Sequence, residues 1–134
     1  SKLKNLCAEL DLRNVEFLGK LSNEEMARVY DRADIYLNSS VVDNMPLSFI
    51  ESFACGLPVV SYETGGIPFL VETGKTGLLV PVGDFRELAS KAVFLLENQE
   101  FTKKLVAKAR AEVVKYEREN VRREWHELYA ELAR

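Results

Sequence analysis

The sequence of 134 residues carries a net charge of −3, and 47% of its residues are hydrophobic and 29% charged, as is typical of one globular domain covering residues 1–134. The negative charge argues against a nucleic-acid partner, since a nucleic-acid-binding domain would present a basic face. Because no apolar run approaches the ~20 residues that cross a bilayer, and the start is polar and unlike a signal peptide, we expect a cytoplasmic protein.

The hydrophobic pattern alternates between short apolar runs and segments with helical spacing. Strands are predicted at residues 14–18, 34–38, 58–62 and 77–80. Helices are predicted at residues 2–11, 22–33 and 46–55, in a short piece that ends near residue 72, from residue 84 onward, and at about residues 100–115 and 119–133. Strands that alternate with helices predict an α/β fold with a parallel sheet.

Three helix starts are marked by residues that favour helix N-termini. Ser22 with Glu25 forms a capping box, and Asp84 with Glu87 repeats the same spacing. Pro46 is expected at the first helical position of its helix, because its fixed φ suits that position and its missing N–H costs nothing there.

The loop and helix after the predicted strand at 34–38 carry two carboxylates, Asp43 and Glu51. Ligands of open parallel sheets bind beyond the carboxyl ends of the strands, where this loop lies. The N–H groups near Leu47 and Ser48, at a helix N-terminus, favour a phosphate. A carboxylate further along the helix can accept hydrogen bonds from sugar hydroxyls. Together these groups suit a phosphorylated sugar or a nucleotide-sugar.

The segment from Asp43 to Glu51 resembles the E-x7-E motif of group 1, family-4-like glycosyltransferases of the GT-B architecture. Further motifs follow in the family's order: Val15-Glu16-Phe17-Leu18-Gly19, Asp34-Ile35-Tyr36-Leu37-Asn38-Ser39-Ser40, Glu51-Ser52-Phe53-Ala54-Cys55-Gly56-Leu57-Pro58-Val59-Val60, Gly65-Gly66-Ile67-Pro68 and Gly77-Leu78-Leu79-Val80-Pro81. Two positions depart from the family pattern. Asp43 replaces the usual Glu and loses one methylene of reach, and Pro46 replaces a frequent Gly and loses one backbone donor.

The resemblance implies a three-layer fold with a Rossmann-like parallel sheet and C-terminal helices. It also implies that this domain is the donor-binding half of a retaining glycosyltransferase. Such an enzyme would take a sugar from a nucleotide-sugar, with no metal and no other cofactor. Glu51 would accept hydrogen bonds from the donor ribose. Asp43, the candidate catalytic residue, would contact the donor sugar or stabilise charge at its anomeric carbon. Backbone contacts are implied with the sugar and pyrophosphate from Asn44, Met45, Pro46 and Leu47, and with the base from Gly19, Lys20 and Leu21.

Each of these roles has a structural alternative. Glu51 would then be a solvated helix carboxylate, Asp43 a turn residue, and residues 19–21 a plain strand-to-helix loop. Gly65-Gly66 either serves a turn that needs positive φ or forms the rim of the donor site. For the whole chain, the alternative is a non-catalytic α/β module that binds a nucleotide or a protein partner.

In the resembled family, the donor-binding half begins with two strands and a helix, which carry an Arg and a Lys for the pyrophosphate. The acceptor-binding half precedes them. The resemblance therefore implies an N-terminally truncated half that lacks the acceptor domain and is inactive alone. Strands at 14–18 and 34–38 would then each keep an unpaired edge. We expect either a homodimer or larger assembly, or a monomer in which these two strands pair directly.

The remaining reactive and apolar residues are given mainly structural roles. Cys7 and Cys55, each within a predicted helix, are expected to be buried and reduced. The lone His126 has no neighbour at metal-ligand spacing, so no metal site is expected. Basic residues between 103 and 123 are interleaved with Glu, which favours a solvated helix face, with contact to a membrane surface as the alternative. Core packing is expected for one apolar face of the last helix: Trp125, Tyr129 and Leu132.

Overall fold

The computed structural model describes residues 2–133, which form a three-stranded parallel sheet with helices on both faces. The strands are β1 (Tyr36–Asn38), β2 (Val59–Tyr62) and β3 (Leu78–Val80). The α-helices are α1 (Lys2–Glu9), α2 (Asn23–Arg32), α3 (Leu47–Cys55), α4 (Ile67–Leu70), α5 (Phe85–Glu97), α6 (Gln99–Val113) and α7 (Arg118–Leu132), and a 3₁₀ turn (Val114–Tyr116) joins α6 to α7. Within this part of the chain, no helix is long and apolar enough to cross a membrane.

The strands lie in the order β1-β2-β3, and both pairings are parallel. Leu37 lies opposite Val60, and Val60 lies opposite Leu78. All four residues of β2 are buried, as expected for the central strand of a sheet that is covered on both faces. The prediction of an α/β fold with a parallel sheet is therefore confirmed.

Successive residues of β2 belong to two separate hydrophobic clusters, because neighbouring side chains of a strand point to opposite faces of the sheet. Val59 packs with residues of α3, α4 and α6: Phe49, Phe53, Ile67, Leu70, Val71 and Ala109. Val60 packs on the other face with Tyr62, Leu78, Val80, Leu88, Leu95 and Leu105, which include residues of α5. The arrangement of helices, sheet and helices confirms the three-layer prediction.

The predicted strand at residues 14–18 does not form, and this prediction was wrong. The segment has no ladder partner among the described residues, and β1 pairs only with β2. Val15, Phe17 and Leu18 are between 41% and 45% exposed. The apolar pattern of a buried strand is present, but a strand forms only where the segment lies alongside another strand, and residues 14–18 do not pair with the free edge of β1. The expected alternative, direct pairing of 14–18 with 34–38, is therefore absent as well.

Burial of the terminal helices also differs from expectation. Trp125, Tyr129 and Leu132 share a face of α7 but are 53%, 63% and 75% exposed, so their predicted core packing was wrong. Cys55 is exposed and Cys7 is only partly buried, although both were expected to be buried; both are free thiols. Helical periodicity identifies an apolar face, but it does not say whether anything covers that face.

The capping predictions hold with two adjustments. The Ser22 capping box is complete, since Ser22 Oγ accepts from the Glu25 N–H at 3.3 Å and Glu25 Oε2 accepts from the Ser22 N–H at 2.8 Å. Asp84 Oδ1 accepts from the Glu87 N–H at 2.9 Å, but the Glu87 carboxylate pairs with Lys91 instead of reaching back. Pro46 is the N-cap of α3, one position before the first helical residue.

The basic residues of α6 and α7 lie on a solvated face, as expected. Their ion pairs with Glu follow helical i,i+3 spacing and are solvent-exposed: Lys103 with Glu100, Lys115 with Glu112, and Arg122 with Glu119. Exposed pairs of this kind add little to stability, because solvent screens the charges.

Candidate functional site at the carboxyl end of the first strand

The chain leaves the sheet at the carboxyl end of β1 through a tight polar turn. Asn38, the last residue of β1, is buried, and its Oδ1 accepts from the Ser40 N–H at 3.0 Å. An Asn side chain that bonds to the backbone two residues on is a common way to start a turn. The loop that follows carries residues 39–46 across the end of the sheet to α3.

The turn after β2 holds this loop in place. The Gly66 N–H donates to the Asp43 carbonyl at 3.2 Å, and Thr64 Oγ1 donates to the Val41 carbonyl at 2.9 Å. A methyl group on Gly65 would overlap the carbonyl oxygen of Asp43. One on Gly66 would overlap the carbonyl oxygen of Asn44. Both glycines are therefore needed for close approach of two backbones.

Only one of these glycines was predicted for the right reason. Gly65 has φ of 51°, in the left-handed region that favours glycine, as the turn interpretation expects. Gly66 has φ of −89°, which any residue adopts. Its requirement for glycine comes from the neighbouring loop, and this contact joins residues more than 20 positions apart.

The first turn of α3 leaves backbone donors available. Pro46 caps the helix without a side-chain hydrogen bond. Phe49 is the first residue of the helix whose N–H has a described acceptor, the Pro46 carbonyl at 3.1 Å. No described residue accepts from the N–H of Leu47 or Ser48. Two such donors at a helix N-terminus attract an anion, because the helix dipole adds partial positive charge there.

The Ser48 side chain is bonded to the sheet. Its Oγ accepts from the Tyr36 hydroxyl at 2.8 Å, and its carbonyl accepts from Ser52 Oγ at 2.6 Å. Ser52 is fully buried. These bonds fix the first turn of α3 on β1 and leave the Ser48 N–H, together with the proton of the Ser48 hydroxyl, as donors that Ser48 can offer to a ligand.

Glu51 lies one turn further along α3, on the side that faces α2. Its carboxylate is exposed, and its Oε2 accepts a hydrogen bond from the Tyr30 hydroxyl at 3.0 Å. A groove of about 280 Å³ lies between the two helices at this point. It is lined by Asn23, Met26, Ala27, Tyr30, Glu51, Ala54 and Cys55. Sequence reasoning predicted Glu51 but missed Tyr30, because helical spacing alone does not show which residue of α2 reaches α3.

Burial raises the pKa of the Tyr30 hydroxyl far above its ordinary value, and the hydrogen bond to Glu51 and the charge of Glu51 raise it further. A contact with Ser52 opposes this shift to a smaller extent. Tyr30 therefore keeps its proton and remains a hydrogen-bond donor throughout the physiological pH range.

The predicted site residues fall into two groups. The first group lies in one segment: Asp43 to Leu47 run from the loop after β1 into the start of α3, and Glu51 follows one turn later. Asp43 is partly buried, and Asn44, Met45 and Leu47 are exposed. Gly19, Lys20 and Leu21 lie in the loop before α2, where Gly19 has φ of 70° and open space around it. No described hydrogen bond joins the two groups. They are related through α2, because Asn23, two residues after Leu21, lines the same groove as Glu51.

Two further features bear on alternative sites. Among residues 2–133, no three His, Cys, Asp or Glu side chains come together as a metal site would require. A larger surface depression of about 490 Å³ lies between the 3₁₀ turn and α7, lined by residues such as Val114, Asn120 and Arg123. None of the predicted site residues borders it, so its size does not make it a better candidate for the chemistry.

Residues 1–112 match the family described as glycosyl transferases group 1. The chain belongs to this family. It is 37% identical over 120 residues to an amylovoran biosynthesis glycosyltransferase of Erwinia amylovora, an alignment that covers 84% of the chain and 30% of that protein.

Solved structures of similar proteins agree with the family's fold. The sucrose-phosphate synthase of Thermosynechococcus elongatus superposes with a TM-score of 0.89 at 30% identity, over 98% of this chain and 33% of that one. Anabaena HepE, solved in complex with UDP-glucose, superposes with a TM-score of 0.80 at 28% identity, over 85% of this chain and 31% of that one. The group 1 chain described here thus spans about a third of the length of these proteins.

Proposed function

We propose that this chain is the donor-binding part of a retaining glycosyltransferase that transfers a sugar from a nucleotide-sugar to an acceptor. The observation that carries the proposal is the first part of α3, where unpaired N–H groups of Leu47 and Ser48 are followed one turn later by the exposed carboxylate of Glu51. The similar fold of HepE, a protein solved with UDP-glucose, supports the choice of a nucleotide-sugar as ligand.

In this proposal, each group of the site has a separate part of the donor to bind. The N–H groups at the start of α3 bind the pyrophosphate, and Glu51 accepts hydrogen bonds from the ribose hydroxyls. The backbone of residues 44–47 also contacts the sugar and the pyrophosphate. The backbone of residues 19–21 contacts the base, from the loop that leads to the same groove.

Asp43 is the proposed catalytic residue. When the bond between the anomeric carbon and the phosphate oxygen breaks, its electron pair leaves with the nucleoside diphosphate, and the sugar becomes oxocarbenium-like. A carboxylate near the anomeric carbon stabilises that positive charge. The carbonyl of Asp43 is held by Gly66, so the residue carrying this carboxylate has a fixed backbone position. The acceptor hydroxyl oxygen then bonds to the anomeric carbon with retention of configuration, and its proton passes to the departing nucleoside diphosphate.

The proposed enzyme needs no metal and no other cofactor. The leaving pyrophosphate would be stabilised by the N-terminus of α3 together with basic side chains. In a chain of the relatives' length, the acceptor would be bound by a further domain. This chain by itself is therefore proposed to bind a donor without transferring the sugar.

One observation favours the alternative of a non-catalytic module. The Tyr30 hydroxyl donates a hydrogen bond to Glu51, so a carboxylate at this position can have a structural role even without a ligand. Under this alternative, Glu51 links α2 to α3, and the chain binds a nucleotide without catalysis or binds another protein.

Replacement of Glu51 by Gln tests whether this carboxylate binds the donor or only links α2 to α3. We expect Glu51→Gln to weaken the binding of UDP or UDP-glucose by about 1–3 kcal/mol, because a hydrogen bond to a charged acceptor is lost. Titration calorimetry or NMR with UDP and UDP-glucose measures the effect. Glu97→Gln is the matched control, since Glu97 ends α5, which packs on the opposite face of the sheet from α3. Equal affinities for Glu51→Gln and the control would favour the non-catalytic module.

A further inference from the structure

The Tyr30 hydroxyl is the one described group that hydrogen-bonds to the Glu51 side chain. We propose that Tyr30 is a positioning residue for donor binding, whose hydroxyl holds Glu51 Oε2 so that Oε1 meets the ribose hydroxyls. This inference rests on the proposed role of Glu51 and adds to it a residue from a different helix.

The geometry supports such a role because one carboxylate oxygen is engaged and the other is left over. A carboxylate has two oxygens with about four acceptor positions in all, and Tyr30 uses one of those on Oε2. Glu51 is exposed and lines the groove, and no described hydrogen bond uses its Oε1. A glutamate on an exposed helix face otherwise moves among several rotamers, and ordering it on binding costs free energy.

Tyr30 is anchored rigidly enough to fix its partner. It is only 5% exposed, and its ring lies 6.4 Å from the ring of Tyr36. Tyr36 in turn packs edge-to-face on the fully buried Phe49 at 5.5 Å. These ring contacts link Tyr30 to the hydrophobic core and fix the position of its hydroxyl, while the Glu51 side chain that the hydroxyl contacts is exposed at the surface.

The competing interpretation is that this hydrogen bond only links α2 to α3. A link of that kind would affect folding stability, and any loss of ligand binding would be the same for ligands with and without ribose hydroxyls. A positioning role predicts a loss that depends on those hydroxyls. The test is therefore the ratio of the affinities for UDP and 2′,3′-dideoxy-UDP, measured by NMR titration on this chain.

We expect the unchanged protein to prefer UDP, and Glu51→Gln to abolish most of that preference. Tyr30→Phe removes only the hydroxyl and should reduce the preference roughly threefold or more, with a smaller effect on dideoxy-UDP. Tyr36→Phe is the matched control. It also removes a tyrosine hydroxyl that bonds to α3, but that hydroxyl contacts Ser48 Oγ, at the phosphate end of the proposed site, and not Glu51. Any loss of affinity should therefore be the same for UDP and dideoxy-UDP, and the preference should persist.

The outcomes test the role of Tyr30 separately from the role of Glu51. If Glu51→Gln abolishes the preference and Tyr30→Phe keeps it, the positioning role is wrong and the function of Glu51 stands. If Glu51→Gln keeps the preference, the ribose role of Glu51 is wrong as well. If Tyr30→Phe weakens both ligands equally, Tyr30 has only a structural role and the inference is overturned.

A second measurement avoids the risk that Tyr30→Phe fails to fold. In the unchanged protein with ¹³C-labelled tyrosine, the ring signal of Tyr30 should shift more with UDP than with dideoxy-UDP, because only UDP shares its carboxylate partner. Equal shifts would count against the inference.

Discussion

At the scale of single residues, the loop at residues 39–46 depends on Gly66, which contacts its backbone from a distant part of the sequence. The φ of Gly66 is ordinary, so a sequence pattern gives no reason for glycine at this position. The reason is the carbonyl of Asn44, which occupies the space that a side chain would need. Asp43 and Asn44 are thereby placed by a turn that follows a different strand.

Replacing Gly66 by Ala should displace residues 43 and 44 and lower the free energy of unfolding by about 1–3 kcal/mol, because the added methyl group overlaps a backbone atom. NMR amide shifts of the loop, together with urea unfolding, measure both effects. Gly74→Ala is the control. Gly74 has φ of 76° with open space around it, so that variant strains its own turn but not the loop. An unshifted loop in Gly66→Ala would contradict the role of this contact.

A pH dependence follows from Tyr30. Its pKa in the folded chain lies above the ordinary tyrosine value of about 10, so above that pH the unfolded chain releases the proton while the folded chain keeps it. The stability linked to Tyr30 is therefore complete below pH 10 and is lost as the pH rises further. Urea unfolding between pH 8 and pH 11.5 should show this decline, and Tyr30→Phe should make it shallower. The same slope in both proteins would refute the burial of this hydroxyl.

At the scale of elements, the sequence predicted those features that depend on neighbours along the chain. The spacing of polar residues predicted the capping box at Ser22 and the start of α5, and a run of apolar residues predicted the buried strand β2. The strand expected at 14–18 does not form, because a strand exists only where another strand supplies its hydrogen bonds. The candidate site divides in the same way: Asp43 and Glu51 came from a motif, whereas Tyr30 and the packing of Gly66 depend on tertiary contacts.

The capping box of α2 makes a prediction about the helix that carries Tyr30. Ser22→Ala removes the acceptor of the Glu25 N–H and should lower the free energy of unfolding by about 0.5–2 kcal/mol. Ser90→Ala in the exposed middle of α5 is the matched control. It should have little effect or a slightly stabilising one, because Ala is the better helix former. Equal urea midpoints for the two variants would contradict the capping role.

At the scale of the whole molecule, both outer edges of the sheet, at β1 and at β3, lack a strand partner among the described residues. At β3 a side chain covers part of the edge, since the Leu79 N–H donates to Thr73 Oγ1 at 2.7 Å. β1 is bonded to β2 alone, and Leu37 in β1 is 48% exposed. The segment at 14–18 also exposes apolar side chains and has no strand partner among the described residues. Free strand edges and apolar surface of this kind are a template for pairing with another chain.

We therefore predict that this chain forms a homodimer or larger assembly through the β1 edge, the 14–18 segment, or both. Light scattering at micromolar concentration measures the mass. Deuterium exchange of the amides at 14–18 should slow as the concentration rises, because pairing protects them. A monomer in which these amides exchange fast at every concentration would rule the assembly out.

The most direct test of the central claim is to locate the nucleotide on this chain. With ¹⁵N-labelled protein, the addition of UDP-glucose should shift the amide signals of Leu47 and Ser48 most strongly, followed by those of Glu51 and residues 19–21. The free N–H groups at the start of α3 would then be the phosphate site. Shifts concentrated instead at the depression between the 3₁₀ turn and α7, or no shifts at millimolar UDP-glucose, would contradict the account.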